Sequence, residues 1–280
     1  MVLEALFNPF MVKKKPWQMF TAGFLYTIIA LAMSYVVFTE IAGILMIFLI
    51  VIATLPILYA TIKGEEELDF EIKNESLLLK EHTKVLIFLM FLFFGITLAF
   101  LVSYIFLPSS IVDSIFSLQQ NAINSVNINI NTEVTGNIAK IDLFSRIFVN
   151  NLKVLFFCLV FSLLYGTGAI FILTWNASVI ATAMGNLVKI KIAESAVALG
   201  VSSYFGVAVF SFMRYMTHGL FEIIAYFVAG LAGGIISIAL IKHNMEKRGV
   251  LIDSLDLVLI SLGLIIVAGV IEVYITPLLF

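Results

Sequence analysis

His218 and Glu222 stand four residues apart in Met216–Ile241, a stretch dominated by Ile, Ala, Phe, Val, Leu and Gly. That spacing puts both on one face of a helix. A third ionisable group, Glu272, interrupts another apolar run near the end of the chain. Stripping water from such a side chain at mid-bilayer costs about 2.5–3.5 kcal/mol, so groups of this kind keep partners and often have roles. Three chemistries suit one imidazole and two carboxylates. The first is a hydrogen-bonded network that fixes helix packing. The second is a proton- or substrate-handling site in a transporter-like cavity. The third is a metal site of one His and two carboxylates, with His218, Glu222 and Glu272 as its only ligands. Zinc hydrolases usually supply more imidazoles and a separate base, and there is no HExxH here. His82 and His243 fall in loops expected on the opposite side. The reading therefore expects no metal and no cofactor.

Other enzyme signatures are missing too. The chain has no Walker motif, no GxGxxG after a strand and no GxSxG. Ser202-Ser203 lie in an apolar run, where serines most often bond to their own backbone. Lone Cys158 sits in another, so no intrachain disulfide is possible. The chain is 62% hydrophobic and 12% charged, against about 25% charged in soluble domains. A net charge of −2 gives no electrostatic case for nucleic acid.

The elements that must position these residues are membrane helices. The expected fold is all-α and polytopic, one membrane domain over 1–280 with about seven spans. Residues 1–19 read as an interfacial segment, with Leu3, Leu6, Phe7 and Phe10 as an apolar face and Trp17 at headgroup depth. Lys13-Lys14-Lys15 precede a run long enough to span, which reads as an anchor rather than a processed leader. Phe20–Phe38 and Ile41–Ile62 form a hairpin, with Pro56 kinking the second span. Lys63–Lys84 carries seven acidic residues and four lysines and reads as a solvated cytoplasmic loop. Its Glu65-Glu66-Glu67 run solubilises rather than binds metal. Val85–Leu107 is the third span. The extracytoplasmic loop 108–150 opens on an amphipathic helix (Ile111, Ile115, Leu118) and continues as a flexible loop or hairpin over Asn127–Asn137. Leu152–Leu173 is the fourth span. Trp175–Leu187 is too short to cross about 30 Å of hydrocarbon and reads as re-entrant or interfacial. Ala193–Met213, Met216–Ile241 and Leu257–Pro277 are spans five to seven.

With these spans, twelve Lys and Arg fall on the side of the N-terminus and four on the other. The bias puts the N-terminus in the cytoplasm and the C-terminus outside the cell membrane. Glu222 and Glu272 then lie about 9 Å and 7.5 Å below the outer ends of their helices, at one level. Continuing the stripe of His218 and Glu222 gives Ala225, Ala229 and Gly233, with Gly230 and Gly234 alongside. Small residues allow close helix approach, so the charged face is also a packing face. They also imply self-association, a dimer or larger homo-oligomer, beside membrane lipids and membrane-protein partners.

The run T-H-G-L-F-E-I-I-A-Y-F-V-A-G-L-A-G-G at 217–234 and I-E-V-Y-I-T-P at 271–277 resemble the stage II sporulation protein M family, the DUF95 membrane proteins. Asn176 and the small residues to Gly185 are similar to that family's short segment before the fifth span. Thr217 stands where members commonly carry Pro. The N-terminal half is similar to archaeal members through L-F-N-P at 6–9, K-K-P-W at 14–17, K-E-H at 80–82 and L-P at 107–108. The resemblance implies a polytopic helical protein with His218, Glu222, Glu272 and Pro277 as motif positions, none with a catalytic role. In endospore formers the family works with peptidoglycan-degrading partners during engulfment; archaeal hosts lack that wall polymer. The leading expectation is a non-enzymatic scaffold or assembly factor. The alternative is a transporter or lipid-handling permease using Glu222, Glu272 and His218 as a coupling or binding site. A third is an intramembrane metalloenzyme.

Overall fold

Hydrocarbon offers no partner to a backbone N–H or carbonyl, so a chain this apolar must close its hydrogen bonds within helices. The computed structural model describes residues 16–71, 75–130, 137–165, 168–195, 201–241 and 248–280, and they contain no strand. The helices are α1 (Trp17–Val37), α2 (Ala42–Glu71), α3 (Glu75–Phe106), α4 (Ser109–Ile115), α5 (Ser117–Ile130), α6 (Asn137–Tyr165), α7 (Ala169–Ser195), α8 (Val201–Ile241), α9 (Arg248–Val270) and α10 (Thr276–Leu279). Seven stretches are long and apolar enough to cross a membrane, one each in α1, α2, α3, α6, α7 and α8 and one running from α9 into α10. This is an all-α polytopic membrane protein. The expected interfacial segment lies almost wholly outside the described residues; Trp17–Met19 begin α1.

Hydroxyls inside the spans mostly bond to their own helix. Thr27 donates to the Gly23 carbonyl at 2.8 Å, Thr54 to Ile50 at 2.9 Å and Thr97 to Phe93 at 2.8 Å. This satisfies each hydroxyl without calling on another helix. Pro56 sits inside α2 without ending it. Glycine sets the approach of α1 to α3: a Cβ on Gly95 would lie 2.1 Å from the Phe20 carbonyl oxygen.

The count of spans agrees with expectation, but their boundaries differ in the second half. The fourth span runs over Lys140–Leu164 rather than Leu152–Leu173. α6 ends at Tyr165 and α7 begins at Ala169, a break beside which a Cβ on Gly168 would lie 2.2 Å from the Phe161 carbonyl oxygen. The apolar residues 169–173 continue on both sides of that break in hydropathy, so their sequence alone assigns them to the wrong helix. They begin α7, and Trp175–Leu187 is therefore neither re-entrant nor interfacial but the middle of the span-length Ala169–Ile192. It is the least apolar of the seven, because it carries polar residues turned toward neighbouring helices. Ser178 and Thr182, both fully buried, are among them.

The expected fifth and sixth spans, Ala193–Met213 and Met216–Ile241, share one continuous helix, α8. The polar interruption at Arg214–His218 does not break it, because Thr217 folds its hydroxyl back to the Met213 carbonyl at 2.7 Å. Two expected loops are also largely helical. Residues 63–71 extend α2 and 75–84 begin α3, while 109–130 form α4 and α5 and 137–150 begin α6. Residues 127–130, expected in a loop or hairpin, end α5.

α8 is the central helix: 82% of its apolar window is buried, against 22% for α6 and 28% for the last span. The last two are therefore the least covered by the rest of the chain.

Candidate functional site

Four helices bring the polar residues of the apolar runs together. Gly233 and Gly230 set the distance of α8 from α6 and α7. A Cβ on Gly233 would lie 2.5 Å from the Leu159 carbonyl oxygen and 3.0 Å from the Ser162 Cβ, both of α6. On Gly230 it would lie 2.7 Å from the Ala169 Cβ, at the start of α7. Ala225, Ala229 and Gly234 are buried as well. The small-residue stripe is thus occupied within the chain by α6 and α7.

α6 and α8 run parallel from this close approach. Asn151, 6% exposed, donates its side-chain amide to Glu222 Oε1. The last span returns beside them. His218 Nε2 lies 3.9 Å from Glu272 Oε1, and His218 Nδ1 lies 3.3 Å from Thr276 Oγ1. Glu272 sits in a widened turn, Ile271–Ile275, where the Thr276 N–H reaches back five residues to the Ile271 carbonyl. Wide turns of this kind occur mostly as single insertions in α-helices, often at functional sites.

These residues line one cleft of about 640 Å³ between α6, α7, α8 and the last span. Glu222, Glu272 and His218 share it with Asn151, Lys153 and Asn176. Asn176 holds its own helix, donating to the Ile172 carbonyl at 2.9 Å. Arg146, also on the wall, is paired with Asp142 at 2.8 Å. The side chain of Glu272 stays 29% exposed and that of His218 14%, so the cluster opens into the cleft. Among the described residues no group of three His, Cys, Asp or Glu is arranged to hold a metal ion. His82 lies in α3, and His243 lies outside the described residues.

The sequence reading did not find Asn151, Lys153 or Thr276. Asn150-Asn151 fell at the seam between the expected loop and the fourth span, and the pair is the one signal that marked it. Thr276 reads as a helix-end residue before Pro277 until the wide turn is known. Removing the imidazole with His218→Ala should lower stability by about 1 kcal/mol, the net worth of an ordinary hydrogen bond. Thermal unfolding in detergent measures this, and an unchanged midpoint would show that Thr276 does not depend on His218.

The site residues fall within the part of the chain that comparison with known proteins covers. The family model for stage II sporulation protein M matches residues 84–277. A protein of Methanocaldococcus jannaschii, itself described as uncharacterized, is 30% identical over 140 residues, 48% of this chain and 71% of that relative. No solved structure matches. With its match running from the third span through Pro277, the chain belongs to the stage II sporulation protein M family.

Proposed function

We propose that this is a permease-type protein of the cell membrane, one multi-pass domain, whose cleft receives a ligand on Glu222 and Glu272. The observation that carries the reading is the opening of both carboxylates and His218 into a single cleft of about 640 Å³. A purely structural network would be dry and fully paired; the Glu272 side chain keeps 29% of its surface. The hydrogen bond from Asn151 to Glu222 supports the scaffold reading, but it accounts for only one of the two acids. In the permease reading Glu222 and Glu272 bind or couple, and His218 orients Glu272.

The N-terminus is cytoplasmic and the C-terminus external in this reading. With the N-terminus taken as inner, Lys13, Lys14, Lys15, Lys63, Lys73, Lys80, Lys84, Lys242, Lys247 and Arg248 count on the inner side. Lys140, Arg146, Lys153, Lys189, Lys191 and Arg214 fall on the outer side. Ten against six is a weaker bias than twelve against four, but of the same sign.

Val179, on the α7 wall of the cleft, gives the test. In a Cys158→Ala background, Val179→Cys in phosphatidylglycerol nanodiscs should react readily with a water-soluble maleimide. Glu222→Gln with Glu272→Gln should keep near-native helicity and melting midpoint. A Val179→Cys thiol that reacts only after unfolding would favour the dry scaffold instead.

A further inference from the structure

The level of the cleft and the character of its walls narrow the ligand. Ile241 is the last residue of α8 and Lys242 follows it. At 1.5 Å per residue, Glu222 lies about 28 Å along the axis from Ile241, close to the thickness of the hydrocarbon. Asn151, bonded to Glu222, lies about 20 Å along α6 from Leu164, so the carboxylates sit in the outer half of the bilayer, below the headgroups.

The walls at that level belong to two helices that part from each other. α6 ends at Tyr165 and α7 starts at Ala169, and Gly230 and Gly233 of α8 pack closely against the pair at that end. The cleft lies in the other half, lined by residues 143–154 of α6 and 176–183 of α7. Val154, Val179 and Ile180 make it apolar, and α6 is the span with the least buried surface. A slot between a little-buried helix and its partner, in the outer half of the bilayer, is placed to admit lipid from the side.

Its charges are of two signs. Glu222 and Glu272 lie on the helices that form the floor, α8 and the last span, and Lys153 is exposed on α6 at the opposite wall. Arg146 already has Asp142, which leaves Lys153 as the cation for an incoming anion. An ammonium group suits the two carboxylates through charge-assisted hydrogen bonds, and a phosphate suits Lys153.

We infer that the ligand is a phospholipid-type amphiphile whose head carries both a primary amine and a phosphate, admitted sideways between α6 and α7. The amine meets Glu222 and Glu272, the phosphate meets Lys153, and the chains leave along the apolar walls into the outer leaflet. This assignment rests on the cleft being a ligand site, as proposed above.

The probe is phosphatidylethanolamine, and the readout is protection of the Val179→Cys thiol from the water-soluble maleimide. Nanodiscs of phosphatidylglycerol alone are compared with discs that also contain phosphatidylethanolamine. The amine lipid should slow labelling about tenfold, the factor expected for one charge-assisted hydrogen bond. Glu222→Gln with Glu272→Gln should remove the protection, and Lys153→Gln should weaken it several-fold. Equal labelling rates in the two discs would overturn the headgroup assignment while the reactive thiol keeps the cleft reading. Full protection by soluble phosphoethanolamine would overturn the lipid part alone. A thiol inert in every disc would overturn the cleft reading, and this inference with it.

Discussion

Gly233→Leu should cost about 3 kcal/mol of stability, the upper end of what overpacking does to a close-packed interior. The first atom added at this position would already lie 2.5 Å from the Leu159 carbonyl oxygen and 3.1 Å from the Leu163 nitrogen. Both belong to the backbone of α6, which cannot turn aside as a side-chain tip can. The helices must therefore separate, and interiors at crystal-like density transmit that strain. Glu222 lies about 16–17 Å along α8, and Asn151 about 12 Å along α6, from the clash at Leu159, so their hydrogen bond should stretch as well. Gly263→Ala is the control, since a Cβ there meets nothing within 4 Å. It should leave the midpoint unchanged or raise it slightly, because alanine favours the helix by about 1 kcal/mol over glycine. Equal tolerance of the two substitutions would mean that the small-residue stripe does not hold α8 against α6.

The helical membrane class was legible from hydropathy alone, since only long apolar runs that close their own hydrogen bonds survive in lipid. The direction of each late helix was legible for a less obvious reason. Merging two expected spans into α8 removes one crossing, and promoting Trp175–Leu187 into α7 restores it. Parity is kept, so α8 and the last span still run in opposite directions, and Glu222 and Glu272 still come to one end of the bundle. The depth arithmetic did not survive in the same way. It counted from Met216 as a helix end, whereas α8 begins at Val201, about 31 Å along the axis from Glu222.

What the sequence could not convey was the partner of each charge. Asn151 reaches Glu222 only because α6 and α8 are parallel and close, a fact set by Gly233, eleven residues further along α8. The widened turn at Ile271–Ile275 has no composition signal, yet Glu272 and Thr276 both lie at it and both meet His218. The small-residue stripe shows the same limit. Such stripes mark close helix approach, but not whether the other helix comes from the same chain.

Asn151→Leu should destabilise the protein by about 2 kcal/mol, because it removes the amide that donates to Glu222 and leaves a carboxylate without that donor in a low-dielectric site. Leucine is close to asparagine in size and suits the flanks of α6, so packing alone predicts little change. Glu222→Leu should cost a similar amount by stranding the Asn151 amide, which is 6% exposed. Glu222→Gln should cost much less, since its amide oxygen still accepts from Asn151. The pair Asn151→Leu with Glu222→Leu then decides what the contact is worth. Replacing both partners of a buried hydrogen bond with apolar groups is close to neutral, so the double variant should be more stable than the sum of the two losses by at least about 1 kcal/mol. Interhelical hydrogen bonds in membranes average only about 0.6 kcal/mol where the unfolded state finds other partners. Strict additivity in denaturant or thermal unfolding would therefore mean that Asn151 and Glu222 are neighbours without coupling. A coupling above that average would mean that α6 is held to the core by its polar end as well as by Gly233.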